Sequence, residues 1–178
     1  MQETYRVRLD KEYHVFSAAH FITYAGNVCE RLHGHNYRVT AEIEGPLDEN
    51  QYVVDFIALR DALKSVTGQL DHFMLLPTEH PTMRVQADER EVLVTFDERR
   101  WIFPRCDCVL LPIANTTAEL LARWIGLRLL EELASGLNLH PSRLQIAVDE
   151  DNGQWGQWEG RPQPQAGGDV SRRGADEQ

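Results

Sequence analysis

Cys29-Glu30-Arg31-Leu32-His33-Gly34-His35-Asn36-Tyr37-Arg38-Val39-Thr40-Ala41-Glu42-Ile43-Glu44 is the stretch that decides the fold. From His35 onward it alternates. Tyr37, Val39, Ala41 and Ile43 fall on one face, and Arg38, Thr40 and Glu42 on the other, which is the period of a half-buried strand. Gly45-Pro46 ends it. His33 and His35 are two apart, so on a strand both rings point the same way and can reach one ion. Three imidazoles are a common protein share of a catalytic zinc site, with the fourth position open. The third, His20, closes Phe16-Ser17-Ala18-Ala19-His20 and must come from a neighbouring strand. Cys29 lies at a spacing that leaves it free to act as acid, base or nucleophile beside a metal.

Working outward, Tyr5 to Ala19 shows broken alternation and reads as a strand with a bulge or bend near Asp10-Lys11. Residues 21 to 32 are a loop with a Gly26-Asn27 turn signal. Gln51 to Asp55 is expected as a short strand entering a helix. Asp55 is its N-cap, Phe56, Leu59, Leu63 and Val66 form its apolar stripe, and Gly68 stops it. Leu70-Asp71-His72-Phe73 follows as a turn or short extended piece. Residues 78 to 108 read as an inserted hairpin: Val92, Val94 and Phe96 alternate, Asp97 to Arg100 turns, and Trp101 and Phe103 return. Cys106, Cys108 and Leu110 continue that alternation, a structural pattern rather than a second metal site, and Arg99-Arg100 is expected as a solvated tip. Thr116 with Glu119 has capping-box spacing and opens a second helix that runs through Leu120, Leu121, Trp124, Ile125, Leu127, Leu130 and Leu133 to Gly136. Arg143 to Glu150 is a strand, and Asn152-Gly153 turns it back through Trp155 and Trp158. Helices on one face of an antiparallel sheet give an α+β arrangement.

The chain has 178 residues, 42% hydrophobic and 26% charged, enough for one domain with a real core. We expect that domain over residues 1–159 and a disordered tail over 160–178, where Pro, Gly and charged residues replace any core-forming pattern. A net charge of -10 argues against nucleic-acid or membrane-surface binding, which needs a basic face. A small anionic substrate is still compatible, since a few local arginines suffice. Three cysteines without framework spacing, no long apolar run and no leader-like N-terminus point to the cytoplasm.

These residues resemble the 6-pyruvoyl-tetrahydropterin synthase superfamily, and within it the bacterial branch of 6-carboxy-5,6,7,8-tetrahydropterin synthases of queuosine biosynthesis. The resemblance rests on Phe16 to His20, Cys29 to Tyr37, Tyr52-Val53-Val54-Asp55-Phe56, Leu70-Asp71-His72, Thr117-Ala118-Glu119 and Val148-Asp149-Glu150, in the family's order. The three-residue gap between Cys29 and His33 favours the bacterial branch. The resemblance implies a tunnelling fold: a four-stranded antiparallel sheet with two helices, three subunits closing a barrel, and two trimers stacking into a hexamer with sites at subunit interfaces. It implies conversion of 7,8-dihydroneopterin triphosphate to 6-carboxytetrahydropterin, acetaldehyde and triphosphate.

It further implies that His20, His33 and His35 hold Zn2+, which polarises the developing carbonyl of the substrate. Cys29 would be the general base or acid, its thiol pKa lowered beside the metal. Asp71 would orient His72 as the second catalytic pair, acting with Cys29 across a subunit boundary. Glu150 would anchor the pterin through two hydrogen bonds. Thr117 either adds pterin contacts or simply caps its helix. Arg31, inside the Cys–His loop, is the first candidate for the triphosphate.

Two other reactions fit the same residues: triphosphate elimination to the pyruvoyl product, and cleavage of dihydroneopterin to a hydroxymethyl pterin. Relatives with the latter activity carry a glutamate near the cysteine position, and Glu30 adjoins Cys29. A non-catalytic zinc module would have no need of Cys29, Asp71, His72 and Glu150. The 78–108 insertion replaces a short loop in relatives, and either leans over the pocket or packs outside the barrel.

Overall fold

The structure, a computed structural model, describes residues 3–26 and 28–162. In chain order the strands are β1 (Tyr5–Leu9), β2 (Val15–His20), β3 (Thr23–Tyr24), β4 (Val28–Cys29), β5 (His33–Gly45), β6 (Phe73–Pro77), β7 (Arg84–Ala87), β8 (Glu91–Phe96), β9 (Arg99–Pro104), β10 (Cys108–Leu111), β11 (Arg143–Asp149) and β12 (Trp155–Gly160). The helices are α1 (Phe56–Gly68) and α2 (Ala118–Leu137). The expected tail falls largely on residues 163–178, outside the described residues; Gly160 itself closes β12.

The fold is α+β, and β5 is its spine. One flank of β5 pairs antiparallel with β2 near its start and with β1 near its end; the other flank pairs antiparallel with β11. β1 and β2 are thus one broken strand. Leu9 faces Ala41 and Val15 faces Arg38, so residues 10–14 stand opposite Val39 and Thr40 alone. The surplus residues bulge out, as the broken alternation near Asp10-Lys11 anticipates.

The main sheet has seven strands rather than four, in the order β10-β6-β2-β5-β11-β12 with β1 beside β5. The extra members are β6 and β10. β6 lies parallel to β2, and β10 parallel to β6, because the chain leaves the sheet after Pro77 and returns to it at Cys108. The insertion is a three-stranded sheet, β7-β8-β9, rather than a hairpin. Arg84–Ala87 is only four residues long, yet it supplies the first strand by pairing with Val92–Thr95. Residues 51–55 form bends instead of the expected short strand.

Tyr37, Val39, Ala41 and Ile43 are all buried, and with Phe16, Leu144, Ile146 and Val148 they form the sheet's contribution to the main core. α1 brings Leu59, Leu63 and Val66; α2 brings Leu121, Ile125, Leu129 and Leu133. Asp55 Oδ1 accepts from the amides of Ile57 at 2.7 Å and Ala58 at 2.9 Å, satisfying two free donors of the first turn of α1. Thr117, not Thr116, is the N-cap of α2, so the expected capping box is one residue out of step. Leu127 turns outward, and Gly126 is buried in its place. A Cβ at Gly126 would stand 2.2 Å from the Trp158 ring, so glycine is what lets β12 lie against the helix.

A second core joins the insertion to the Cys–His loop. Phe21, Cys29, Met74 and Leu76 pack with Val92, Val94, Phe96 and Cys108. His80 ties the start of the insertion down. Its Nδ1 accepts from the amides of Met83 at 2.8 Å and Thr82 at 3.1 Å, and its Nε2 lies 2.7 Å from Thr23 Oγ1.

Candidate active site

The antiparallel register of β2 and β5 sets His20 directly opposite His33, with His35 one pleat further on. The three rings emerge on the core face of the sheet, beyond the last apolar layer. Their centroids are 4.7 Å apart for His20–His33, 4.9 Å for His33–His35 and 5.2 Å for His20–His35. Gly34 lets the two strands close here, since a Cβ on it would stand 3.0 Å from the Ala18 carbonyl oxygen. Tyr37, fully buried and stacked on Phe16 at 4.8 Å, is the floor.

Among the described residues, His20, His33 and His35 are the one group of three or more metal-ligating side chains that converge, with ligand atoms within 4.8 Å of one another. Second contacts orient two of the rings. His20 Nδ1 lies 3.0 Å from the Thr116 carbonyl oxygen, and His33 Nδ1 lies 2.7 Å from that of Arg31. A carbonyl only accepts, so Nδ1 carries the proton and each Nε2 presents a lone pair to the centre of the group, the arrangement of metal-bound histidines. Burial pushes the His20 pKa down to about 4, with the His33 and His35 rings adding to that. His20 Nε2 is buried and has no hydrogen-bond partner. Three converging imidazoles, two of them oriented by backbone carbonyls, form a donor set that fits a divalent metal.

Glu150 follows β11 and points into the same space, with Oε1 3.5 Å from His20 Nε2. Burial raises its pKa, and the neighbouring His35 and His33 rings oppose the rise. Burial and the nearby Glu150 carboxylate push the Tyr37 phenol upward as well. Thr117 caps α2 with its hydroxyl, which accepts from the Leu120 amide at 3.5 Å. Its buried neighbour Thr116 is the residue that touches the histidine group.

Cys29 ends the short β3–β4 hairpin and is buried in the second core, with Sγ 3.4 Å from the Glu30 carbonyl oxygen. Burial pushes its thiol pKa up, and Arg99 pulls it back in part. Glu30, not Cys29, approaches the histidines: its Oε2 is 3.7 Å from His33 Nε2.

Asp71 and His72 form the expected pair, with Oδ2 2.9 Å from Nδ1. Asp71 Oδ1 accepts from the Ser17 amide at 2.8 Å, which first of all holds its carboxyl below the usual range. His72 sits at φ 65, its own amide donating to the Ser17 carbonyl at 2.6 Å. The side chain of His72 is 80% exposed, so within one chain it faces outward. An open groove of about 570 Å³ runs from His72 past Asn36 and His35 to Phe103 and Asp107 of the insertion. The insertion thus packs against the loop that leads to the histidines, and its Phe103 and Asp107 share a groove with His35.

Arg99 and Trp101 carry that contact, and both are invisible to motif reading. Arg99 Nη1 donates to the carbonyls of Cys29 at 2.7 Å and Glu30 at 3.1 Å, so it is no solvated tip. The Trp101 ring stacks on Phe21, next to His20, at 4.8 Å. Cys106 is exposed and Cys108 buried, so the two thiols do not form a site.

The sequence profile of the 6-pyruvoyl tetrahydropterin synthase family matches residues 8–161. The chain belongs to that family. It is 33% identical over 135 residues to a Pyrococcus abyssi protein with the provisional name 6-carboxy-5,6,7,8-tetrahydropterin synthase, covering 75% of this chain and 80% of the relative. It is 30% identical over 131 residues to the Haemophilus influenzae 6-carboxy-5,6,7,8-tetrahydropterin synthase, covering 68% and 81%. Among solved structures, Plasmodium falciparum 6-pyruvoyl tetrahydropterin synthase superposes with a TM-score of 0.83 at 29% identity, over 90% of this chain and 100% of that one. The chain is thus a tetrahydropterin-synthase-family enzyme with the fold its motifs imply. Among the described residues no helix is long and apolar enough to cross a membrane.

Proposed function

We propose that this protein is a zinc-dependent lyase that converts 7,8-dihydroneopterin triphosphate to 6-carboxy-5,6,7,8-tetrahydropterin, acetaldehyde and triphosphate, in the cytoplasm and within queuosine biosynthesis. The observation that carries the reading is the histidine group with Glu150 facing it at 3.5 Å. The names of the relatives support the carboxy product. Residues 1–159 would act as one domain.

When bound by His20, His33 and His35, Zn2+ supplies Lewis-acid polarisation of the substrate's side-chain oxygens. Glu150 accepts hydrogen bonds from the pterin ring N–H and amine, a paired match for a carboxylate. Thr117 caps the helix that backs the ring. Cys29 exchanges protons with the side chain, and Asp71 keeps His72 in the tautomer that relays them. His72 is exposed in its own chain, which suits a role at a neighbour's site in a barrel of three subunits, stacked as a hexamer. Arg31 meets the triphosphate.

A second reading has a specific observation behind it. Cys29 is buried with a raised thiol pKa, while Glu30 lies 3.7 Å from His33 Nε2. A Plasmodium vivax 6-pyruvoyltetrahydropterin synthase, 27% identical to this chain with a TM-score of 0.82, has been solved with a glutamate altered that is described as its catalytic residue. In this reading Glu30 is the base and the side chain is cut to a hydroxymethyl group.

The test is incubation of zinc-loaded protein with 7,8-dihydroneopterin triphosphate, products read by mass spectrometry, beside Cys29→Ala and Glu30→Gln. Acetaldehyde with the carboxy product, lost in Cys29→Ala, supports the first reading. A hydroxymethyl product lost in Glu30→Gln replaces it with the second, and a pyruvoyl product overturns both.

A further inference from the structure

Between the loop that carries His33 and the tip of the inserted sheet lies an open groove of about 460 Å³, lined by Arg31, Leu32, Arg99, Arg100 and Trp101. Three guanidinium-bearing residues meet here in a chain with a net charge of -10. Seven arginines elsewhere are paired with carboxylates, as Arg143 is with Glu42 and Glu159. Arg31, Arg99 and Arg100 form no ion pair among the described residues.

The groove is built rather than incidental. Arg99 donates Nη1 to two carbonyls, which fixes the guanidinium without neutralising it. The Trp101–Phe21 stack at 4.8 Å holds β9 against the residue after His20. Arg31 is held from the other side, its carbonyl accepting from His33 Nδ1 at 2.7 Å. Like charges gathered without counter-ions repel one another, and an anion with several oxygens relieves that repulsion. Guanidinium forks match phosphate oxygens in pairs.

We propose that Arg31, Arg99 and Arg100 form an oligophosphate subsite, and that the 78–108 insertion supplies it: Arg99 and Arg100 come from the insertion and Arg31 from the metal-ligand loop. The subsite adjoins the histidine group, so one ligand spans both, phosphates at the arginines and carbon chain at the metal. That placement rests on the pterin-triphosphate reading; the affinity for oligophosphate does not.

The test uses inorganic tripolyphosphate and the full-length, zinc-loaded protein in isothermal titration. Arg31→Gln, Arg100→Gln and the double variant are compared with the unaltered chain, leaving Arg99 in place because it also ties down the Cys29 loop. Each single loss is expected to weaken binding about tenfold, the size of one charge-assisted contact, and 7,8-dihydroneopterin, which has no phosphates, should bind all four proteins alike. Binding should also fall as salt rises. Unchanged tripolyphosphate affinity in the double variant, or none in the unaltered chain, overturns the proposal. Arginine-dependent tripolyphosphate binding without turnover of the pterin triphosphate upholds the subsite and removes the reaction. Turnover with an unchanged KM in the double variant does the reverse.

Discussion

Arg99 Nη1 sits 2.7 Å from the carbonyl oxygen of Cys29, a residue 70 positions earlier in the chain. This contact makes the inserted sheet a support for the loop that presents Cys29, Glu30 and Arg31. Arg99→Ala should lower stability by about 1.5 kcal/mol, the low end for a charge-assisted bond. It should also speed amide exchange at residues 28–30 while α2 keeps its protection. Equal exchange at the loop in both proteins would show that the second core alone holds it.

The histidine group predicts a metal count. Purified protein dialysed against a zinc buffer should retain one zinc per chain, and His35→Ala should lose it with its circular dichroism unchanged. His14→Ala is the control: His14 is buried elsewhere and should not matter to the metal. Zinc retained by His35→Ala would mean that another donor, Glu150 first among them, completes the set.

The exposure of His72 predicts complementation. His33→Ala and His72→Ala should each be inactive alone. If His72 serves a neighbour's site, unfolding and refolding the two together should restore about a quarter of normal activity, the share of sites with both groups intact under random mixing. No recovery would place His72 at the site of its own chain.

His80 predicts a pH dependence. Its Nδ1 accepts two amide bonds, so the ring must be uncharged, and burial above all, then Arg84, lowers its pKa from the ordinary 6.5. The unfolded chain therefore takes up the proton first as pH falls. The stabilisation is complete above about 6.5 and is lost as pH drops through the lower, folded value. Exchange at the Thr82 and Met83 amides should rise over that window, and His80→Asn should flatten it.

Gly126 predicts a steric cost. Gly126→Ala would force Trp158 off the helix, since the new Cβ would stand 2.2 Å from the ring. A loss of about 1–3 kcal/mol in denaturant unfolding is expected, against the small gain alanine normally brings inside a helix. A more stable variant would mean that the indole has room to swing away.

The spine strand, both helices and the three histidines were legible because local patterns encode them: period two from His35 to Glu44, helical spacing after Asp55, and a His-Gly-His triplet. The bulge at residues 10–14 was legible for the same reason. The seven-stranded sheet was not, because β6 and β10 are short apolar runs whose parallel pairing is a matter of topology. The first strand of the insertion, Arg-Val-Gln-Ala, alternates over only four residues, too few to stand out, and pairing with β8 makes it a strand. The burial of Cys29, which pushes its thiol pKa up, was not legible either, because Val92, Val94 and Phe96 of the same core lie more than sixty positions away. Arg99 failed to stand out because an arginine beside a turn is ordinarily solvated, and its acceptors are backbone carbonyls, which carry no signature in sequence.

The parallel pairing of β6 and β10 has a consequence for any attempt to trim the protein. Met74 faces Cys108 and Pro77 faces Leu111, so the chain departs from one end of β6 and comes back at the other. Cutting out residues 78–107 would leave ends that no tight turn can join, because parallel neighbours need a long crossover. Removing β10 as well would strip β6 of its outer partner and leave a row of open amides and carbonyls along Phe73–Pro77, an invitation to pair with stray chains. A shortened protein is thus expected to aggregate before it reveals what the segment does, and point substitutions are the safer way to ask.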